Sequence, residues 1–312
     1  MNQEEYEKWL EFRRQLCTGT KVAPILGQGS FRTAYDVFVR VKQLLPLEPP
    51  TAAMRRGTLL EGGILDFYDQ ELDVKVARQS GTFVHPHEDW MGASPDGFHE
   101  EDGELVIVDA KTSRDRHKWG AAGSDDVPVD YACQLQWYAA VLGAHFDKPV
   151  RRLDVAVYFP VHDEFSIFNI APDEELQQKL IEKCREWWYR HIISNVAPPI
   201  DHGTLATKLV NQTPHGNDNF MELDAGTADI VERLKEVKKD IASLTKEKGM
   251  LENTIKEVVG TNLGLVGNGH RVTWKEQKGR SSWDTKQLAV DHPELAEAYK
   301  KPGKPYRVLR IK

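Results

Sequence analysis

Long hydrophobic runs are absent from this 312-residue sequence, and cysteine is scarce. No stretch has the length and apolarity of a membrane span, and no positively flanked apolar N-terminus predicts secretion. The three cysteines, Cys17, Cys133 and Cys184, are odd in number and widely spaced. They indicate neither a zinc knuckle nor an iron–sulfur cluster, and they are typical of a reducing compartment. We therefore expect a cytoplasmic protein with no membrane contact.

Positive charge is also in short supply, since the net charge is −7. The deficit is uneven: residues 1–222 hold 23 Lys and Arg against 35 Asp and Glu, whereas residues 223–312 hold 18 against 13. These counts give −12 and +5. An acidic catalytic part neutralised by metal ions, with a basic appendage attracted to phosphate, would have this pattern. A merely solvated basic helix and tail would have it too.

The overall composition, 40% hydrophobic and 29% charged, is that of an ordinary globular protein with one large domain or two. Residues 201–222 are polar and rich in Asn, Gly, His and Thr, which is typical of a linker. We therefore predict a first domain over residues 1–204, a linker over 205–222 and a C-terminal module over 223–312.

The chemistry-bearing stretch lies between residues 94 and 111. Ser94-Pro95-Asp96-Gly97 predicts a tight turn, and the apolar run from Leu105 to Val108 predicts a strand that ends in Asp109-Ala110-Lys111. Because side chains alternate along a strand, Asp109 and Lys111 lie on one face. A hairpin through Asp102-Gly103 would bring Asp96 beside them.

Two carboxylates and a lysine on one strand end are what a metal-dependent phosphodiesterase needs. The carboxylates supply hard oxygen ligands for a small divalent cation, and the lysine lies near the attacked phosphate. Oxygen-rich surroundings favour Mg²⁺ over Zn²⁺, so we interpret His85 and His87 as loop residues. The alternative is a surface hairpin with a solvated lysine.

Apolar periodicity predicts an α/β domain. The predicted helices cover 2–16, 33–44, 51–71, a segment that opens at Pro128, and 172–193; the predicted strands cover 73–85 and 88–111, placed in one sheet, then 151–160 and 164–170. Residues 112–127 form an irregular basic stretch that could touch DNA phosphates. We expect Trp187, Trp188 and Tyr189 to be core aromatics rather than a base-stacking platform.

The C-terminal module has the spacing of a coiled coil. Apolar residues recur at alternating intervals of four and three, except where Lys248 occupies a core position beside Gly249. Either one helix runs through the glycine or a hairpin turns near it. Beyond the helix, residues 271–275 and 306–311 predict strands, and a short helix follows Asp291-His292-Pro293.

The order of these motifs resembles the lambda-exonuclease or YqaJ-type viral recombinase family of PD-(D/E)XK nucleases. The resemblance spans residues 5–200 and rests on five motifs in family order. They are Arg13…Thr20, Gly57-Xaa3-Glu61, Ser94-Pro95-Asp96-Gly97, Asp109-Ala110-Lys111 and Tyr131-Xaa2-Gln134-Leu135-Gln136.

The resemblance implies a restriction-endonuclease-like mixed sheet flanked by helices, to which the C-terminal module is appended. It also implies Mg²⁺-dependent digestion of linear double-stranded DNA from its ends, 5′ to 3′, with Mn²⁺ as a substitute cation. The products would be single strands for recombination in a bacterial or phage-infected cytoplasm. The implied partners are double-stranded DNA ends, a single-strand annealing protein and further copies of the chain.

The same resemblance assigns roles to residues. Asp96 and Asp109 would hold the metal, Lys111 would orient the attacking water, and Gln134 would support the site. Glu61 would complete the acidic cluster, although its place at the edge of a helical apolar face also suits a residue facing water. Asp109 stands where the family usually has Glu. Residues for DNA or terminal-phosphate binding would be Arg13, Thr20 and Tyr131.

Two alternatives remain open at this point. One is a structure-specific or helicase-associated endonuclease of the same fold, although the sequence has neither a helicase motif nor the cysteine pattern of the iron–sulfur nucleases that work with helicases. The other is a DNA-binding or assembly protein whose nuclease fold is inactive. The presence of every acidic position together with Lys111 argues against this second alternative.

Overall fold

The computed structural model describes residues 3–46, 48–79, 81–214, 216, 219–301, 303 and 307–311. It divides into two compact units, Met1–Thr213 and Pro214–Lys312. The helices of the first unit are α1 (Gln3–Arg14), α2 (Gly19–Ile25), α3 (Ala34–Val41), α4 (Ala52–Leu72), α5 (Val129–Phe146), α6 (Glu174–Trp188) and α7 (Thr204–Asn211). Its strands are β1 (Cys17–Thr18), β2 (Ala77–Arg78), β3 (Phe83–His85), β4 (Glu88–Ala93), β5 (Gly97–Glu101), β6 (Glu104–Thr112), β7 (Val150–Phe159) and β8 (Glu164–Ile170).

The described strands of the first unit form two sheets. The larger sheet has the order β2-β5-β6-β7-β8 and is mixed, because β6 and β7 are parallel while the other neighbours are antiparallel. The smaller sheet has the order β1-β4-β3. The prediction that residues 73–111 belong to one sheet was therefore wrong. Two short strands, β1 and β3, pair with β4 and hold it apart from β5.

Helices cover both faces of the larger sheet, as the predicted fold class requires. Alternation along β6 divides its side chains, so that Leu105 and Ile107 join the core formed with α5 and α6, whereas Val106 and Val108 join the core formed with α4. Trp188 is fully buried in the first of these cores and Trp187 packs against it, which confirms their interpretation as core aromatics, whereas Tyr189 is 47% exposed and its interpretation as a core aromatic was wrong. Asp109 and Lys111 continue the face that packs against α5.

A buried polar network fixes α4 to the sheet. The hydroxyl of Tyr68, which is fully buried, donates a hydrogen bond of 2.5 Å to Asp154 Oδ2 on β7 and lies 3.1 Å from His99 Nε2 on β5. Asp154 also accepts hydrogen bonds from Arg152 and Asn169. Since Asp154 is completely buried, each donor offsets the cost of keeping its charge away from water.

We expect Tyr68→Phe to lower the free energy of unfolding by about 1–3 kcal/mol, because it removes a donor from a buried carboxylate. Urea denaturation measures this change. The matched control is Tyr158→Phe, since the Tyr158 hydroxyl bonds Asp163 at the surface, at 2.8 Å. The control should change stability by less than about 0.5 kcal/mol. Equal losses in the two variants would contradict a special role for the buried network.

The first unit extends further than the sequence predicted. The segment expected to begin the linker at residue 205 contains α7, whose Leu205 and Ala206 pack in a small core with Tyr35 and Val39. Asp36 fixes its start by accepting a hydrogen bond of 2.8 Å from the Leu205 N–H. The unit boundary after Thr213 therefore replaces the predicted boundary at 204.

In the second unit, α8 (Ala225–Val259) is one helix of 35 residues that runs through Gly249, so no hairpin interrupts it. An antiparallel pair follows, β9 (Gly264–Gly267) with β10 (His270–Thr273), and then α9 (Thr285–Asp291) and α10 (Pro293–Tyr299). The short helix after Asp291 is confirmed. The predicted strand at 306–311 is wrong for residues 307–311, while Tyr306 lies outside the described residues. Among the helices that the structure describes, none is long and apolar enough to cross a membrane.

Candidate active site

Asp96 and Asp109 meet where the hairpin of β5 and β6 opens. Asp102 and Gly103 form its turn with φ of 52° and 87°, a left-handed conformation that Gly and Asp adopt more readily than most residues. The resulting register pairs Gly97 with Val108, and its continuation places Asp96 opposite Asp109. The turn chemistry thus sets which carboxylates face each other.

The carboxylate of Asp96 is anchored by backbone and surrounded by charge. Its Oδ2 accepts a hydrogen bond of 2.8 Å from the Ala110 N–H. Burial raises the pKa of Asp96 to about 8, and the negative charges of Asp109 and Glu61 contribute to the rise, while Lys111 opposes it. Asp96 therefore lies in a group of acids that repel one another in the absence of a cation.

Lys111 and Asp109 form an ion pair in which the aspartate is buried and the lysine is partly buried. The lysine Nζ donates to Asp109 Oδ2, and Asp109 itself is 1% exposed. Burial lowers the pKa of Lys111, but Asp109 and then Asp96 raise it by more, so the net shift is upward. Lys111 is therefore charged at neutral pH, and it is held beside the two carboxylates.

Helix α5 supports this pair from the adjacent layer. Gln134 Nε2 lies 3.4 Å from Asp109 Oδ1 and donates a hydrogen bond of 2.8 Å to the Tyr138 hydroxyl. Tyr138 in turn donates to the Ser94 carbonyl at 3.0 Å, next to the turn that carries Asp96. Gln134 was predicted from the sequence, whereas Tyr138 was not assigned to the site. Tyr138 lies four residues after Gln134, on the same helix face, and this spacing was the sequence feature that could have assigned it to the site.

Tyr131 lies on the same face of α5, one turn before Gln134. The Lys111 ammonium is 5.3 Å from the Tyr131 ring centroid, within cation–π range, and the Trp119 ring stacks on Tyr131 with centroids 5.4 Å apart. Burial raises the pKa of the Tyr131 hydroxyl. Its ring contacts Lys111 directly, a contact that the DNA-binding role predicted for it did not include.

Glu61 approaches the site from α4, which packs on the opposite face of the sheet. It is partly buried, and burial followed by the negative charge of Asp109 raises its pKa. This electrostatic coupling places Glu61 near the other acids. It is consistent with the predicted acidic cluster, although no contact measured in the structure makes Glu61 a ligand.

The donor set suits a hard divalent cation. Among the described residues, no three His, Cys, Asp or Glu side chains are already arranged as a metal-binding group. Asp96, Asp109 and Glu61 offer oxygen donors alone, which is the chemistry Mg²⁺ prefers. The mutual repulsion that helps to raise the pKa values of Asp96 and Glu61 is what a bound cation would relieve. The residues present therefore fit the implied metal in chemistry.

The two predicted phosphate-binding residues lie beside α5. Gly19 packs so closely there that a Cβ on it would be 2.8 Å from Tyr138 Cε1 and 3.0 Å from Gln134. The next residue, Thr20, is exposed at the start of α2. The Arg13 guanidinium lies 4.5 Å from the Trp9 ring centroid. Its positive charge opposes the rise in the pKa of the Tyr138 hydroxyl that burial causes. This close packing at Gly19 was not predicted from the sequence.

The basic stretch after β6 has a partly structural role. Arg116 bonds Glu164 at 3.0 Å and the carbonyls of Trp119 and Gly120 at 3.0 and 2.8 Å, and Trp119 is buried. Arg114, His117 and Lys118 are exposed. The predicted contact with phosphates therefore stays a prediction for these exposed residues, while Arg116 is engaged within the fold.

Comparison with known proteins gives a family match over the same residues. The sequence model of the YqaJ-like viral recombinase domain matches residues 8–145, a range that includes every site residue discussed above. No curated protein shows significant similarity to the chain.

Two solved structures illustrate the structural likeness. An alkaline exonuclease (LHK-Exo) from Laribacter hongkongensis is 21% identical, with 60% of this chain and 93% of that chain covered and a TM-score of 0.49. A phage-related exonuclease from Haemophilus somnus 129PT is 14% identical, with 58% and 96% covered and a TM-score of 0.43. Because both TM-scores are below 0.5, the functional argument rests on the domain match and on the geometry of the site.

Proposed function

We propose that the protein, whose residues 8–145 match the sequence model of the YqaJ-like viral recombinase domain, is a Mg²⁺-dependent exonuclease that digests linear double-stranded DNA from its ends. The proposed direction is 5′ to 3′, which leaves single strands for recombination. The proposed setting is the cytoplasm of a bacterial or phage-infected cell, with a single-strand annealing protein as the partner that receives the product.

One observation carries the proposal. An Asp109–Lys111 ion pair, a second carboxylate from Asp96 opposite it, and the side-chain amide of Gln134 converge at one end of the sheet. A structural ion pair does not need a further, partly buried acid whose pKa is raised by burial and by its acidic neighbours. Two acids and a cation in this arrangement match the needs of phosphodiester hydrolysis.

The chain's own residues then have distinct tasks. A bound divalent cation supplies Lewis-acid neutralisation of phosphate charge and a lower pKa for water. The Lys111 ammonium is positioned to donate a hydrogen bond to the attacking water or to a phosphate oxygen. Gln134 restrains the Asp109 carboxylate, and Tyr138 restrains Gln134, so the pair keeps its orientation without substrate. Digestion of a linear duplex with Mg²⁺, compared with a closed circle, tests the proposal.

Arg13 is proposed to bind the phosphate at a 5′ end, with Thr20 as its neighbour. We expect Arg13→Ala to reduce the rate on 5′-phosphorylated duplexes by roughly 10–100-fold, because a charge-assisted hydrogen bond to phosphate is lost. On duplexes with a 5′ hydroxyl the loss should be less than about threefold. The rate ratio for the two substrates is the measurement.

Arg14→Ala is the matched control for Arg13→Ala, since Arg14 pairs with Glu11 on the same helix. It should leave the preference for a 5′ phosphate unchanged. If Arg13→Ala slowed both substrates by the same factor, Arg13 would not read the terminal phosphate.

A second DNA contact is proposed for the tail beyond α8. Residues 260–312 hold 11 Lys and Arg against 5 Asp and Glu, whereas α8 holds 7 of each. The positive charge of the C-terminal module therefore comes from the tail. Trp274 and Trp283 are 50% and 83% exposed in this basic segment, a combination that suits stacking on bases and pairing with phosphates.

We expect the triple variant Lys275→Gln, Lys278→Gln, Arg280→Gln to bind duplex DNA with a shallower salt dependence. If all three cations displace counterions, the slope of log K against log salt falls by about 3. The control is Lys235→Gln, Lys239→Gln, Lys246→Gln on α8, which removes the same charge elsewhere. Equal changes in the two triple variants would argue against a tail-specific contact.

A further inference from the structure

Helix α8 carries an apolar stripe that the described residues of its own unit leave open to solvent. Ile241, Leu244 and Leu251 are 58%, 61% and 53% exposed. They belong to a heptad series at alternating intervals of four and three residues: Ile230, Leu234, Val237, Ile241, Leu244, Leu251, Ile255 and Val258. A 35-residue helix with such a stripe needs a surface that covers it.

The charge of α8 indicates which class of partner covers the stripe. The helix has 7 Lys and Arg and 7 Asp and Glu, so it has no net charge. An anionic surface such as DNA or a lipid headgroup layer would gain little from it. The stripe is narrow and has the seam spacing of a coiled coil, interrupted only at Lys248, and a helix with a matching seam fits it best.

We propose that α8 pairs with α8 of a second copy of the chain in an antiparallel two-stranded coiled coil. The residues that flank the stripe decide the direction. In a parallel pair, Arg233 would lie beside Lys238 of the partner, and Glu247 beside Glu252 of the partner. Lys248 would also face its own copy in the core. Each of these contacts is repulsive, so like-charge repulsion at three positions along the helix disfavours the parallel arrangement.

In the antiparallel direction, one register suits both the residues at the core positions and the charged residues that flank them. It sets Leu234 against Val258, Val237 against Ile255, Ile241 against Leu251, and Leu244 against Lys248. The two-fold symmetry repeats every layer. In the same register Lys238 faces Glu252 twice, which gives two opposite-charge pairs.

Lys248 has a place in this register. A lysine at a core position costs stability but specifies register and direction. Near the two-fold axis the Lys248 side chains of both copies lie close to Glu247 of both copies, so their charges offset one another. A shift by one heptad in either direction would lose the Lys238–Glu252 pairs, and one of the two shifts would also bring Asp240 beside Glu247 of the partner. The sequence therefore favours one register.

The first test is the mass of the full-length protein in solution, measured by sedimentation equilibrium. We expect Ile241→Asp with Leu251→Asp to halve the mass at micromolar concentration, because these residues face each other in two apolar layers, where the substitutions place aspartates opposite one another. The control Lys239→Gln with Lys246→Gln, on the outer face of the helix, should leave the mass unchanged. A mass that is the same in all three proteins would overturn the proposal, whatever other subunit contacts exist.

The second test sets the direction. In the antiparallel register, Lys238→Glu and Glu252→Lys each turn two attractions into repulsions, and each should raise the dimer dissociation constant roughly tenfold. The two substitutions together should return it to within about threefold of the wild type. In a parallel pair the same single substitutions would relieve repulsion with Arg233 or Glu247 and tighten the dimer, a result that would overturn the antiparallel assignment.

Circular dichroism distinguishes an effect of Glu252→Lys within its own helix from its effect on the dimer. Glu252 also forms an ion pair with Lys248 within its own helix, at 3.5 Å, so Glu252→Lys weakens that contact. Lys238→Glu does not alter this ion pair. It is therefore the variant that tests the direction of pairing if the helicity of Glu252→Lys falls. Tightening of the dimer by Lys238→Glu alone would still contradict the proposal.

Discussion

We expect Asp109→Asn to lower the rate of DNA cleavage by at least roughly a thousandfold, because it removes a proposed metal ligand and the partner of Lys111. Asn keeps the size of the side chain, so core volume is unchanged. Asp109→Glu should retain part of the activity, since the related family usually has Glu at this position. Initial rates on a labelled linear duplex measure both variants.

The burial of Asp109 makes a stability control necessary. Asp109 is 1% exposed, so removing its charge leaves the partly buried Lys111 ammonium without its main partner, at a cost of about 3–5 kcal/mol. The double variant Asp109→Asn with Lys111→Met removes both charges. It should unfold in urea closer to the wild type than Asp109→Asn does, and it should be equally inactive.

A second control lies on the same strand. Glu104 begins β6 and pairs with Arg151 at 3.3 Å, away from the site. Glu104→Gln changes the charge of the strand by the same amount and should keep activity within about twofold. Cleavage retained by folded Asp109→Asn, or lost equally in Glu104→Gln, would remove Asp109 from the proposed chemistry.

The central hairpin was predictable because local signals determine it. Asp102-Gly103 specifies the turn, the turn specifies the register, and the register places Asp96 opposite Asp109. Alternation along the strand then put Lys111 on the face of Asp109, and their ion pair confirms this. The helical spacing of Gln134 likewise placed it on the side of α5 that packs on the strand.

Features that depend on distant packing were missed. The two-residue strand β1 is too short to leave a periodic signal, and it exists because Cys17 and Thr18 pair with Met91 and Gly92. Helix α2 follows directly, in a segment that lies outside the helices predicted from the sequence. Tertiary contact with β4 and α5 outweighs local propensity in this segment.

The domain boundary and the tail were also mispredicted, because they too depend on contacts between residues distant in the sequence. Polar composition predicted a linker from residue 205, but Leu205 and Ala206 are buried against α3, a contact more than 160 residues apart in sequence. Alternating basic and apolar residues predicted a strand at 306–311, yet β10 pairs with β9 and residues 307–311 are not in a strand. A strand pattern needs a partner with free edge hydrogen bonds, which a single sequence does not reveal.

The second large effect concerns DNA ends. We expect a linear duplex to be digested completely under conditions in which a covalently closed circle of the same sequence loses less than about 1%. An exonuclease requires a terminus, whereas an endonuclease of the same fold does not. A nicked circle provides a further comparison between an exonuclease and an endonuclease, because it offers a 5′ phosphate without a blunt end. Incision of the closed circle at the rate of the linear duplex would favour the endonuclease alternative.

The proposed activity is tested most directly with one linear duplex labelled differently at its 5′ and 3′ ends and incubated with Mg²⁺, with Mn²⁺ or with a chelator. We expect early release of the 5′ label as mononucleotide, later release of the 3′ label, activity with either cation and none with the chelator. Release of the 3′ label first would contradict the direction, and cleavage in the presence of the chelator would contradict the metal-dependent mechanism.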